Sequence, residues 1–239
     1  MKKNLFLLTI AFCFSAVFLA AQETKNTPKF EPIPNLPNVL ILGDSISIGY
    51  TPPVRELLQS EANIYRPEAN CGNTKIGLKN LDRWLDTKQN GGKKWDVIHF
   101  NWGLWDLTYR NPPNQDNTGV RDKINGGISF TPEQYGENLE KIVQRLEKTG
   151  AKLIWGNISL IPEGEGARVV GDDVRFNAVA TEIMKKHNIP TDDIYKLTAC
   201  FDSKLFAAPG DVHYTNDGYK KIAEQVAEHI KCVLKTRVT

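Results

Sequence analysis

The chain has 239 residues, 41% hydrophobic and 24% charged, which suits one α/β domain and an ordinary soluble core better than two domains. Lys and Arg number 30 against 28 Asp and Glu, so the formal net charge is only +2. With no basic stripe, nothing points to a nucleic-acid partner.

Met1, Lys2 and Lys3 give a positive start, residues 5–19 are almost wholly apolar, and Ala20-Ala21 follow. That is the layout of a secretory signal peptide (residues 1–21), too short for a stable membrane span; a retained N-terminal anchor is the alternative. Cys13 lacks the small residues of a lipoprotein site. The expected product is secreted or periplasmic, with 28 basic residues balancing 28 acidic ones once Lys2 and Lys3 are gone. Residues 22–37 are polar and proline-rich and read as a tether; residues 38–239 read as the domain. Cys71, Cys200 and Cys232 remain after the leader. An odd count leaves at least one thiol unpaired, and buried, unreactive thiols are the expectation. No CxxC or His/Cys cluster suggests a metal, and no cofactor is implied.

Asn38-Val39-Leu40-Ile41-Leu42 is an apolar run fit for a buried strand. A short helical stretch covers 54–58, Asn63-Ile64-Tyr65 reads as a second strand, and Leu78, Leu81 and Leu85 share one helix face. Residues 95–100 form a third strand. Residues 107–130 are rich in Asn, Pro, Gly and Asp, without periodicity, and read as a functional loop. Thr131-Pro132-Glu133-Gln134 opens a helix with an N-cap, proline at N1 and glutamine at N3, and Gly150 ends it. Its apolar face is Leu139, Ile142, Val143 and Leu146. A fourth strand at 152–156, a helix at 172–186, a fifth strand at Ile194-Tyr195 and a last helix from Asn216 complete the alternation. Such a pattern demands a parallel sheet with helices on both faces. Its active rim lies beyond the strands' carboxyl ends, after Leu42, Phe100 and Gly156.

Two places on that rim carry chemistry. Gly43-Asp44-Ser45 follows the first strand. A serine there presents its hydroxyl off the sheet and its own N–H at a helix start, where an oxyanion is favoured. A turn with a helix cap reads the same way. Asp211-Val212-His213 precedes the last helix. Of the four histidines, His99 is mid-strand and His187 and His229 lie late in helices; only His213 is on a loop beside a carboxylate. A serine nucleophile needs such a base, and the base an orienting group.

Gly43-Asp44-Ser45, Gly72, Gly103-x-x-Asp106 and Asp211-Val212-His213-Tyr214-Thr215, in this order and spacing, resemble the SGNH/GDSL hydrolase family. The longer Gly43–Tyr50 segment with Asn101-Trp102-Gly103-Leu104 looks like an exported bacterial subgroup. The resemblance implies a flavodoxin-like three-layer α/β/α fold with a central parallel sheet, and hydrolysis of esters without metal or cofactor. It implies Ser45 as nucleophile, His213 as base, and the N–H groups of Ser45 and Gly72 as oxyanion donors. Two departures stand out. The asparagine that usually gives a third oxyanion donor is here Trp105, leaving Asn101 as the candidate substitute. The aspartate usually three residues before the histidine is here Gly210, leaving Asp211 as orienting carboxylate or as a cap of the turn.

Trp102 and Trp105 beside the rim are candidates to stack on sugar rings, with Tyr109, Arg110, Asn114 and Asn117 as polar contacts; equally, the tryptophans could pack under the loop. No apolar run in 107–130 suits a lipase lid. The expected substrate is a small-molecule or carbohydrate ester, acetyl by preference. A lysophospholipase or thioesterase is the alternative within the fold, and a glycan-binding homologue with impaired catalysis the alternative outside it. A histidine base must be neutral to take a proton, so activity should fall at acid pH.

Overall fold

In the structure, a computed structural model that describes residues 30–236, the chain runs β1 (Asn38–Leu42), α1 (Ser45–Leu57), β2 (Asn63–Tyr65), α2 (Thr74–Leu85), β3 (Val97–Phe100), β4 (Tyr109–Asn111), β5 (Val120–Arg121), β6 (Gly127–Ile128), α3 (Pro132–Glu147), β7 (Lys152–Gly156), α4 (Asp172–Lys186), β8 (Thr191–Asp192), α5 (Ile194–Ala199) and α6 (Asn216–Lys235). Each residue of β1, β2 and β3 is buried, as strands covered on both faces must be. The main sheet has the order β2-β1-β3-β7-β8 and every pairing in it is parallel. From β1 the chain moves outward to β2, then returns across β1 to β3. The strand order thus reverses between β1 and β3, and the crevice beyond their carboxyl ends is where α/β sheets place ligands.

Helices α1 and α6 pack together on one face, with α5 against α6; α2, α3 and α4 pack side by side on the other. These are the layers of the expected α/β/α sandwich. The sequence signals at α3 are realised: the Thr131 side chain accepts from the Gln134 N–H while the Gln134 side chain accepts from the Thr131 N–H. Its inward face, Leu139, Ile142, Val143 and Leu146, is fully buried; each such side chain contributes roughly 1.5–3 kcal/mol.

Several expectations are corrected. The fifth strand is Thr191–Asp192, not Ile194-Tyr195, because Asp193 accepts from the Lys196 N–H at 3.1 Å and caps α5 from Ile194 onward. Residues 107–130 are not a structureless loop: β4, β5 and β6 make a small antiparallel sheet with β4 in the middle. The end of the tether is held, since Asn63 accepts from the Ile33 N–H at 2.7 Å and donates to the Ile33 carbonyl at 2.9 Å. Cys71 is buried, but Cys200 and Cys232 are exposed, and all three thiols are free. The signal peptide expected at 1–21 and the first residues of the expected tether lie outside the described residues. No helix among the described residues is long and apolar enough to cross a membrane.

Candidate active site

The turn after β1 is built around a helix cap. Asp44 has extended backbone angles and its carboxylate accepts from the Ile46 N–H at 2.9 Å, so α1 begins at Ser45. The Ser45 N–H is thereby one of the first-turn donors that a helix leaves without an intrahelical partner, at the positive end of the helix dipole. Burial raises the Asp44 carboxyl, with the Ile46 N–H and the charges of Arg168, His213 and Arg66 opposing it. Ser47 donates to the Asp44 carbonyl at 2.7 Å. Arg66 donates to the Gly43 carbonyl and to the Ser47 hydroxyl, each at 3.0 Å. Its other terminal nitrogen donates to the carbonyls of Pro67 at 2.8 Å and Ala69 at 3.2 Å. A single guanidinium thus ties the Ser45 turn to the segment leading to Gly72.

His213 reaches Ser45 from the loop before α6. Its Nε2 lies 2.8 Å from Ser45 Oγ, and its Nδ1 lies 2.7 Å from Asp211 Oδ1. With the proton on Nδ1 donated to Asp211, Nε2 is free to accept from the serine hydroxyl. The same Asp211 oxygen accepts from the His213 N–H at 3.0 Å, closing a short turn that fits the two-residue spacing. Partial burial pushes the Asp211 carboxyl up, but these two hydrogen bonds and the charges of His213 and Arg168 outweigh it and hold it below its ordinary value. Buried Val212 and Tyr214 flank His213, and the Ala207 N–H donates to its carbonyl at 2.9 Å. The other histidines lie elsewhere: His99 pairs with fully buried Asp192 at 3.0 Å, His187 contacts Glu140 and Glu147, and His229 Nδ1 lies 3.0 Å from the Gln225 carbonyl.

The predicted oxyanion donors behave differently from one another. Gly72 is buried with φ +60, and its N–H donates to the Asn70 side-chain oxygen at 2.9 Å. Asn101 is not available as a third donor. Its amide nitrogen donates to the carbonyls of Gly156 at 2.7 Å and Asn157 at 3.2 Å, which uses both of its protons to tie β3 to the end of β7. Trp102 is corrected too. It is fully buried, donates to the Cys71 carbonyl at 3.3 Å and packs against Gly77, so it cannot stack on a ligand. Trp105 is half-buried, and the guanidinium of Arg121 lies 5.2 Å from its ring centroid. Arg110, expected as a polar contact, is 3% exposed and bound to the Thr118 and Gly119 carbonyls and to Asn117. Asn114 is spent on the Pro112 and Thr118 carbonyls.

Asp106 is buried behind the site and accepts from both the N–H and the hydroxyl of Thr74 at the start of α2. Burial nevertheless pushes its carboxyl up to about 7. Arg168 is 4% exposed; it donates to the Leu104 carbonyl at 2.7 Å and to Glu165 at 2.9 Å. Arg66, Asn70 and Arg168 are missed by sequence reasoning, because a lone arginine or asparagine between elements has no pattern to betray it. No group of three His, Cys, Asp or Glu side chains among the described residues is arranged to hold a metal ion.

Comparison with known proteins gives the family and the fold. The model of the GDSL-like lipase/acylhydrolase family matches residues 41–221. Among solved structures, a lipase/acylhydrolase from Enterococcus faecalis superposes with a TM-score of 0.64 at 19% identity, covering 82% of this chain and 96% of that one. The acetyl xylan esterase AlAXEase gives 0.61 at 14%, covering 81% and 99%, and TesA gives 0.59 at 17%, covering 82% and 99%. At these identities the likeness is one of fold. No curated protein matches the chain in sequence. A family match spanning most of the chain, on a parallel sheet of the same architecture, means that this protein belongs to the GDSL-like lipase/acylhydrolase family, whose members are hydrolases acting on esters.

Proposed function

We propose that the protein is an exported serine esterase that removes short acyl groups, acetyl in particular, from a carbohydrate. The observation that carries the reading is the hydrogen-bonded chain from Ser45 through His213 to Asp211, at 2.8 and 2.7 Å. In this reading His213 takes the serine proton as the hydroxyl attacks the ester carbonyl, and Asp211 fixes the imidazole tautomer and steadies the imidazolium. The N–H groups of Ser45 and Gly72 hold the oxyanion, the second after the Asn70 carboxamide yields it. His213 then protonates the leaving alcohol, and water, activated by the same imidazole, releases the acid.

Support for a polar, sugar-like alcohol comes from half-exposed Trp105 on the rim and from the absence of a long apolar run in residues 107–130. The fold shared with an acetyl xylan esterase fits acetyl as the acyl group. Export rests on the leader-like residues 1–21.

A second reading, a glycan-binding homologue with impaired catalysis, is favoured by one observation: Gly72 and Asn101 both have their donors satisfied inside the protein. Hydrolysis of a short-chain chromogenic acetate by the wild type, Ser45→Ala and His213→Ala separates the two. Turnover lost in both variants, together with labelling of Ser45 by a serine-directed phosphonate, supports the esterase. A folded wild type that neither turns over nor labels sinks it.

A further inference from the structure

Three guanidiniums, those of Arg110, Arg121 and Arg168, lie within reach of one another's charge, and that of Arg121 lies over the Trp105 ring. Arg110 and Arg121 stand directly opposite each other in the antiparallel pairing of β4 with β5, where like charges repel. Arg110 is 3% exposed, its partners are neutral oxygens, and its Nε is buried without a hydrogen-bond partner among the described residues. Exposed Arg121 lies over the Trp105 ring and makes no ion pair among the described residues. Arg168 completes the group, with Nε on the Leu104 carbonyl, one terminal nitrogen on Glu165, and Nη2 without a hydrogen-bond partner among the described residues. Burial lowers the pKa of Arg110, and the charges of Arg121 and Arg168 lower it further.

The acids nearby balance only one of the three. Glu165 pairs with Arg168 at 2.9 Å and also accepts from the Ala167 N–H, which leaves Arg110 and Arg121 without a carboxylate partner among the described residues. Asp122 is spent on the N–H groups of Ile124 and Asn125 and on the Asn125 amide. Lys123 adds a further cation on the Glu165 carbonyl.

The cluster adjoins the reacting groups. The 164–168 segment touches the loop of Asp211 and His213 where Gly164 meets Gly210. Leu104, which Arg168 holds, lines a cavity of about 10 Å³ together with Ile46, the neighbour of Ser45. The field of Arg168 reaches the carboxyls of both Asp44 and Asp211.

Repelling, partly buried guanidiniums are costly unless an anion completes them. We infer that Arg121 and Arg168, with Trp105 between β3 and the small sheet, form a subsite for an anionic group, a carboxylate or sulfate, on the alcohol part of the substrate. This rests on the esterase reading: an acetyl group carries no charge, so the anion belongs to the sugar. Acetylated acidic glycans are the class selected. Guanidinium forks match such planar or tetrahedral oxyanions, and the Trp105 face suits the sugar ring.

The test is calorimetric titration of the full-length protein with unacetylated trimers, which report binding without catalysis. Trigalacturonate should bind at least about tenfold more tightly than neutral galactotriose, and the gap should shrink between low and high salt as exposed charges are screened. Arg121→Gln, at an exposed position, should cost trigalacturonate about tenfold in affinity and narrow its lead over galactotriose. A sulfated galactotriose tells the source: tighter than the uronate, the anion is sulfate; weaker, it is carboxylate. Equal affinity for charged and neutral trimers, binding of neither, or an unchanged charge preference in Arg121→Gln overturns the subsite. Uronate binding without hydrolysis of any acetate would instead overturn the esterase reading and leave the subsite standing.

Discussion

The α-carbon of Gly210 lies against Gly164 so closely that an added β-carbon would stand 2.6 Å from the Gly164 carbonyl oxygen. Gly210 also has φ +75, a region that costs side-chain-bearing residues on the order of 1–3 kcal/mol. The aspartate usual three residues before the histidine is therefore sterically excluded here, and Asp211, one residue later, reaches His213 through its own short turn. Restoring the usual pattern with Gly210→Asp should not help. We expect a lower Tm and at least a tenfold loss of esterase activity, read by thermal unfolding and acetate hydrolysis. A variant as stable and active as the wild type would show the Gly164 contact to be yielding.

Asp211→Asn keeps the shape of the side chain but takes away the charge that holds the imidazole tautomer. Its kcat should fall on the order of 10³–10⁴ with little change in KM, read by steady-state hydrolysis. Because the Asp211 carboxyl is held below its ordinary value, the wild type's acid limb should not come from loss of this carboxylate. A variant within tenfold of wild type would reduce Asp211 to a cap of the turn.

Asn70 occupies the Gly72 N–H, so a substrate carbonyl has to displace a neutral hydrogen bond worth about 1 kcal/mol. Asn70→Ala should raise kcat/KM about fivefold. A fall of tenfold or more would mean that the carboxamide works beside Gly72 instead of competing for it.

Burial holds the Asp106 carboxyl at about 7, whereas the unfolded chain releases that proton near pH 4. Between those values the folded state binds the extra proton, so this group's contribution to stability declines as pH rises from about 4 to about 7 and is level above. Asp106→Asn has no such group. The wild type, measured against it, should lose urea resistance between pH 5 and pH 7.5, and parallel pH profiles would contradict the shift.

The elements that could be read in the sequence are those whose signals are local. The capping box at Thr131 and the apolar stripe of α3 stand in the chain as they stand in the fold, as does the buried run of β1. Ser45 and His213 were legible because strand–turn–helix context and family spacing coincide. Ile194-Tyr195 misled because apolar content outweighed the Asp193 cap directly before it. The small sheet escaped because strands of two or three residues are too short to show alternation. Trp102 and Asn101 were misplaced for a shared reason. At the end of a buried strand, alternation does not say which side chain is committed inward, and both are spent on neighbouring carbonyls. Arg66 and Arg168 act only through contacts closed by the tertiary fold.

Arg66 binds the carbonyls of Gly43, Pro67 and Ala69 with one side chain, and the Cys71 N–H adds a further bond to Gly43 at 3.1 Å. The serine and the glycine that faces it are consequently parts of one mechanical body rather than two loops that meet. In this architecture the N–H groups of Ser45 and Gly72 keep their spacing as a pair, and they lose it only when the β1–β2 half of the sheet comes apart.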